Sequence, residues 1–439
     1  MNLIKPEGGQ QWGAALRVYR HPRVLAMLFL GFSSGLPFML VAGTLTARLF
    51  VDGASMAEIG MFAWVGIMYS VKFVWAPVID RMRLPLLNRW LGRRRSWMLL
   101  AQVGVGLALM GLAYSDPAVN LGRFAWFAVL VAFASATQDV VVDAYRIEAV
   151  ELKVQGAMAA SYQLGYRIAL LVAGAGALYI AQFASWQMAY QAMALLMCVG
   201  IMTALLINEP ESSGSSISNG GTPLAPPQPL SAWFADAVIG PFVEFFSRNG
   251  RWALVLLAFI GVYRISDMVL GVMANPFYID IGFSLAEIAT VTKVFGFAVT
   301  VAGAAIGGIA VARYGVGSPL VFGAVMLAVT NLFFAGLAAY GKAVWLLFVT
   351  IGADNLAAGF TGTVFIAYLS GLTNVAYTAT QYALFSSVMT LPGKIIAGFS
   401  GQVVQAVDWF SFFLYASAMG LPAILLALIV TRHDNLSSR

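Results

Sequence analysis

Residues 186–208 read WQMAYQAMALLMCVGIMTALLIN, residues 209–232 read EPESSGSSISNGGTPLAPPQPLSA, and at 251–279 the chain turns apolar again as RWALVLLAFIGVYRISDMVLGVMANPFYI. A helix crosses the hydrocarbon core in about 20 mostly apolar residues, so each flanking run is long enough to span a bilayer. The stretch between them is rich in Ser, Gly and Pro and reads as a flexible linker. Working outward, apolar runs precede it at 24–47, 57–79, 96–115, 122–146 and 157–182, and follow at 285–312, 317–340, 343–371, 378–406 and 409–431. None of these runs alternates polar with apolar as a membrane-spanning strand must, which leaves the helix as the spanning element. The sequence therefore predicts an all-α membrane protein of twelve transmembrane helices in two six-helix bundles. Their expected bounds are 1–208 and 251–439, with a linker at 209–250 on one side of the membrane. Within that linker Trp233, Phe234, Val238, Phe242, Phe245 and Phe246 form either a helix lying in the interface or the extended start of the seventh span.

Composition agrees. Hydrophobic residues make up 60% of the chain and charged residues 10%, with a mean hydropathy of +0.83. A soluble domain carries roughly a quarter of its residues as charges, so most of this surface meets lipid. The formal charge of +6 then reports topology and not a nucleic-acid footprint. With a cytosolic N-terminus, seventeen of the 25 lysines and arginines fall in cytosolic segments, among them Arg81–Arg95. Only Arg48, Arg123 and Lys342 fall on the other side, which places both termini and the linker in the cytosol. The basic stretch 1–23 leads into a run too long for a cleavable signal, so the first span is expected to stay as an anchor. One cysteine, Cys198, rules out a disulfide framework, and both histidines, His21 and His433, lie outside every span. Neither a metal nor a cofactor is expected.

Ionisable residues at membrane depth are costly and by default face a cavity or a partner. Lys72, Asp139, Asp143, Arg167, Arg264, Asp267, Lys293, Asp354 and Lys394 qualify. None lies on span three, six, nine or twelve, an avoidance that nine randomly placed charges would show about one time in forty. These four spans are expected on the outside. Asp139 and Asp143 share a helix face, and Arg167 on the next span reaches a similar depth to Asp139. Asp139 and Arg167 are expected to pair, either as a fixed salt bridge or as a carboxylate whose protonation trades against the arginine's hold on a substrate. With no histidine in a span, Asp139, Asp143, Asp267 and Asp354 are the candidate proton carriers. Gln138 beside Asp139 suits sugar hydroxyls. The second half offers Arg264, Lys293 and Lys394, the last following Leu391-Pro392-Gly393, where a helix is expected to break. Five cations against four acids favour anions, although internal pairing of several of them is an equally good account. Gly31 and Gly35 suit close helix packing more than ligand contact.

Several phrases carry a resemblance: GFSSGLP at 31–37, KFVWAPVIDR at 72–81, SATQDVVVDAY at 135–145, LGYR at 164–167, Tyr263-Arg264-Ile-Ser-Asp267, and ATQYALFSS at 379–387. Together with Gly92-Arg93-Arg94-Arg95 they resemble the AmpG muropeptide permeases of the major facilitator superfamily, over nearly the whole chain. The resemblance implies proton-driven import of GlcNAc-anhydroMurNAc peptides across the inner membrane by a monomer. It points to Gln138, Asp139 and Asp143 as the critical polar group. Gly35, Tyr166, Arg167, Arg264, Lys293, Gln381 and Lys394 are further candidate substrate contacts. The resemblance also implies a cytosolic gate at Asp80, Arg81 and Arg93, with Asp80 capping span eleven near Thr378 and the arginines gripping the facing half. Asp354 stands where the family often has a longer acid, and Arg264 where lysine is usual. A related branch imports acetyl-coenzyme A, which a basic cavity also suits. A polytopic membrane acyltransferase is a more distant alternative, disfavoured because no histidine or reactive serine setting lies in a span.

Overall fold

The computed structural model describes residues 20–150, 152–210, 240–372 and 378–437. Among them ten helices are long and apolar enough to cross a membrane. In chain order these are spans one (Pro22–Val51), three (Arg93–Ala113), four (Leu121–Arg146), five (Ala160–Phe183), six (Trp186–Leu206), seven (Trp252–Asp280), eight (Leu285–Val311), nine (Gly317–Tyr340), ten (Val344–Leu369) and twelve (Trp409–His433). Span two starts at Met56–Met61, tightens into 3-10 turns at Phe62–Gly66 and Lys72–Val74, and ends in Ala76–Arg81. Span eleven is Thr378–Ala397 followed, after a kink, by Ser400–Ala406. With these two the fold has its twelve helices.

Local chemistry sets the ends. Ser55 and Ser284 each close a capping box with the glutamate three residues on, Glu58 and Glu287, at the starts of spans two and eight. Asn120, Ser185 and Asp408 cap spans four, six and twelve. Each supplies an oxygen to a backbone N–H that the first helical turn leaves without a partner. All five caps sit on the face away from the chain termini, where the connections are short. On the terminal face a helix at Gly240–Asn249 precedes span seven, turned from it by Gly250 at φ +54. It is a helix in its own right and not a straight extension of the span.

The four spans without charges at membrane depth point large apolar side chains outward: Leu107 on span three is 68% exposed, Leu195 on six 70%, Phe322 on nine 57% and Leu425 on twelve 61%. In a bilayer these meet lipid. The two halves meet through spans one, two and five of the first and seven, eight and eleven of the second. Hydrogen bonds join them along the face away from the termini and down to mid-membrane. Asn275 donates to Gly43 O, the Leu285 N–H donates to Gln182 Oε1 at 3.0 Å, and Tyr179 and Thr290 share a bond of 2.6 Å. Small residues let backbones touch at the same end: a methyl group at Gly401 would sit 1.6 Å from Met56 O, and one at Gly60 2.8 Å from Gly398 O.

Candidate functional site

Between the halves lies a cavity of about 490 Å³. Spans one (Phe38, Gly43, Thr46), two (Gly66, Tyr69), seven (Arg264, Asp267) and eleven (Thr390, Lys394) contribute to its wall. The volume lies in the range of small-molecule sites, about 300–1,000 Å³. Backbone irregularities cluster around it. Span one breaks at Val41-Ala42, span two winds as 3-10 through Phe62–Gly66, and span seven breaks at Tyr263-Arg264. Non-helical backbone at this depth is tolerated where it borders protein or a polar cavity.

The charges sort into three groups. On the second-half wall Arg264 forms an ion pair with Asp267 one turn on, and Asp354 of span ten is close enough to act on the same guanidinium. At the boundary of the halves Lys394 Nζ donates to Gly66 O at 2.7 Å and Ser70 Oγ at 2.8 Å, and Ser70 in turn shares a 2.8 Å bond with Thr390. In the first half Asp139 Oδ2 lies 3.7 Å from Lys72 Nζ, while Asp139 Oδ1 is buried without a hydrogen-bond partner. Gln138 next to it donates to Ser33 Oγ at 2.9 Å and Ser34 Oγ at 3.2 Å, leaving its own Oε1 buried and unpartnered. Gln138 Oε1 and Asp139 Oδ1 are thus two buried acceptors without donors, on residues that are not among those lining the cavity.

Several sequence expectations change here. Asp139 pairs with Lys72 and not with Arg167, whose side chain is exposed on another face of span five. Relative helix rotation decides this, and similar depth does not fix rotation. Asp143 binds Arg146 of its own helix at 3.5 Å. Gly35 is packing and not a ligand contact: a methyl there would lie 2.6 Å from Tyr166 O, and Gly165 and Gly31 make the same backbone approach between spans one and five. Tyr166 is thereby half-buried in that seam, its ring 6.1 Å from that of Tyr162. Lys293 comes close to the cavity wall, since a methyl at Gly43 would lie 3.7 Å from its Nζ. It crosses to the first half within a π-helical stretch, Ala289–Phe295, and a methyl at Gly174 would meet its stem at 3.4 Å.

Span eleven runs helical through Pro392 and breaks later, at Gly398-Phe399. Pro392 removes one N–H, yet its fixed φ is compatible with the helix. Arg93 lies 4.0 Å from Glu148 in its own half. Its neighbours do likewise. Arg94 bonds Glu148 and presents its N–H to Glu209 at 2.7 Å, and Arg95 Nε donates to Ala204 O at 2.9 Å. The three arginines thus bind spans three, four and six to one another. The side chains of Asp80, Arg81 and Gln381, and the Thr378 end of the expected gate, lie outside the described residues.

Sequence reading missed Lys72 as the partner of Asp139, although it flagged Lys72 as an intramembrane charge. It also missed Ser33, Ser34 and Ser70, since a serine inside a span carries no signal of its own. Arg48, assigned to a loop, is 4% exposed at the end of span one. It donates to Leu112 O at 2.9 Å and Ser115 O at 2.6 Å, pairs with Asp52 at 3.2 Å and lies over the rings of Phe124 and Tyr190. Its fork of donors satisfies the carbonyls that end span three.

Twelve helices in two halves, with a charge-lined cavity between them, define a membrane transporter of the major facilitator type, and the sequence signature described as Major Facilitator Superfamily matches residues 27–270. Among curated proteins, the anhydromuropeptide permease of Escherichia coli K12 is 32% identical over 97% of this chain and 84% of its own length. A protein of Rickettsia conorii named as an AmpG-type transporter is 31% identical over 95% of this chain and 99% of its own. The chain belongs to the AmpG family of that superfamily, a family of transporters and not of enzymes. Solved structures repeat the fold: a POT family transporter in complex with a thioalcohol-conjugated peptide superposes with a TM-score of 0.68 at 10% identity, covering 95% of this chain and 96% of its own. A D-xylose-proton symporter does so with 0.65 at 12%, covering 94% and 97%.

Proposed function

We propose that this protein imports anhydromuropeptides, GlcNAc-anhydroMurNAc with or without its peptide, across the bacterial inner membrane together with protons. Both termini are cytosolic in this reading, and the cavity opens alternately to each side. The observation that carries it is the placing of charges in a mostly apolar cavity, Arg264–Asp267 on one wall and Lys394 at the boundary of the halves, in a chain aligned almost end to end with an anhydromuropeptide permease. An anhydromuropeptide joins sugar hydroxyls to peptide carboxylates; the hydroxyls of Thr46 and Thr390 suit the former and the two cations the latter. With both termini cytosolic, the bonded face of the halves described above is the periplasmic one.

Asp139 is the proton-coupling carboxylate in this proposal, with Lys72 as the partner that holds it ionised. Asp267 and Asp354 sit across the cavity on an arginine of their own, and Asp143 answers to Arg146. Arg264 and Lys394 contact the peptide carboxylates and Gln138 the sugars. The roles of Tyr166, Arg167, Lys293, Gln381 and of Asp80, Arg81 and Arg93 as substrate or gating residues are further elements of the proposal.

Proteoliposomes test it. Labelled anhydro-muropeptide and labelled acetyl-coenzyme A are offered with and without an imposed pH gradient. Gradient-driven accumulation of the muropeptide alone is expected. Accumulation of the coenzyme A thioester in its place would move the protein to the organic-anion branch, and uptake indifferent to the gradient would remove the proton from the cycle.

A further inference from the structure

We infer that Lys394 is a hand-off residue: its ammonium holds the carboxylate of an entering substrate when the periplasmic side is open, and transfers to Gly66 and Ser70 when that side closes. The inference rests on the anhydromuropeptide reading and the orientation given with it.

Lys394 belongs to the second half, yet both of its hydrogen bonds are to the first, Gly66 O at 2.7 Å and Ser70 Oγ at 2.8 Å. Both acceptors are neutral, and no carboxylate among the described residues pairs with it. It lines the same cavity as Arg264 and Asp267. One turn farther along span eleven the Trp64 indole of span two packs against its backbone: a methyl at Gly398 would lie 1.9 Å from the indole, and Trp64 Nε1 donates to Ile395 O at 3.2 Å. Lys394 is thus a second-half charge held by the first half beneath the closed periplasmic seam.

For the periplasmic side to open, spans two and eleven must separate. That separation removes both acceptors from Lys394 and leaves an unpaired ammonium at membrane depth, an unfavourable state. A ligand shifts such an equilibrium only by binding one state better than the other. An anionic ligand does so here, because it supplies the open state with the partner that the closed state has already. Closing returns Lys394 to Gly66 and Ser70, and the carboxylate loses its cation on the side from which it must leave. Arg264 behaves differently, since Asp267 on its own helix moves with it and holds it in every state. Lys394 is therefore the cation whose partner changes during the cycle.

The test compares uptake of the anhydro-disaccharide with its tripeptide form and the peptide-free form in the wild type, Lys394→Met and Ser70→Ala. A Thr46→Cys reporter in a Cys198→Ala background is labelled from the periplasmic side with an impermeant maleimide in each. The wild type is expected to prefer the tripeptide form, and Lys394→Met to lose about ten- to hundredfold of that preference, the worth of one hydrogen bond to a charged group. Ser70→Ala keeps the preference, because the ammonium remains, but labels faster because the seam is weakened. Should Lys394→Met not reach the membrane, Lys394→Arg serves: it keeps the charge and the preference, yet labels faster, since a planar guanidinium cannot repeat both bonds. A preference undiminished in Lys394→Met overturns the hand-off and leaves the muropeptide reading standing. A wild type that takes up neither compound overturns the reading itself.

Discussion

At the scale of single residues, burial and partner geometry divide charges that the sequence presents as equals. Asp139 has one lysine at 3.7 Å and one oxygen with no partner among the described residues, which is why the coupling role is proposed for it. Asp139→Asn imitates the protonated acid. It is expected to abolish accumulation against a gradient while exchange of internal for external substrate continues, as counterflow would show. Full gradient-driven accumulation by this variant would pass the coupling role to Asp267 or Asp354. Glu148 is the opposite case. Hydrogen bonding from Arg94 comes first, and with the charges of Arg94 and Arg93 it holds this carboxylate below its usual range against the opposing effect of burial. A depressed carboxylate contributes stability that is present above its unfolded value and is lost as pH falls through the folded one. Thermal unfolding in detergent should therefore separate wild type from Glu148→Gln at pH 7 and bring the two together in acid below the usual carboxylate range. A gap that stays constant with pH would mean that the arginines act on Glu148 by packing alone.

At the scale of elements, legibility depends on what a span's neighbours demand of it. Spans three, nine and ten were readable to within a few residues because they are continuous helices whose apolar length is set by the bilayer. Span nine is even bounded by glycines at φ +72 and +89, Gly315 and Gly341, which no other residue adopts as readily. Span two was legible as a span but not as five short pieces, since 3-10 turns such as Phe62–Gly66 answer to contacts from span eleven and not to local composition. The same holds for the π-helical stretches Val172–Gly176 and Ala289–Phe295, which face each other across the halves. Ion pairing was the least legible: two charges on different helices meet only if both rotations allow it, and nothing between residues 72 and 139 encodes that. Gly401 shows what such contacts ask of an element. A methyl there would fall 1.6 Å from Met56 O, whereas one at Gly336 would meet nothing within 4 Å. Gly401→Ala should hold spans two and eleven apart, raise periplasmic labelling of Thr46→Cys and suppress transport, while Gly336→Ala leaves both unchanged. Equal labelling in the two variants would show that the seam does not need its glycines.

At the scale of the whole molecule, the direction of insertion follows from charge while the fold is indifferent to it. Turned over in the membrane, the same twelve helices would bury the same side chains, and no contact within the protein would change. What distinguishes the two faces is the distribution of lysine and arginine: seventeen of 25 lie on the face of the termini and three on the other. Positive residues near span ends are retained in the cytosol during insertion. Here the bias is reinforced structurally, because Arg94 and Arg95 join the ends of spans three, four and six and cannot cross without breaking those bonds. The other face carries Arg48, whose guanidinium is enclosed by Leu112, Ser115 and Asp52. Both termini and the segment between the halves are therefore expected in the cytosol. A cysteine at Ser215, in a Cys198→Ala background, should resist an impermeant maleimide added to intact cells and react once the inner membrane is permeabilised. Rapid labelling in intact cells would invert the topology and make the bonded face of the halves the cytosolic one. Lys394 would then be freed by opening of the cytosolic side instead of the periplasmic one.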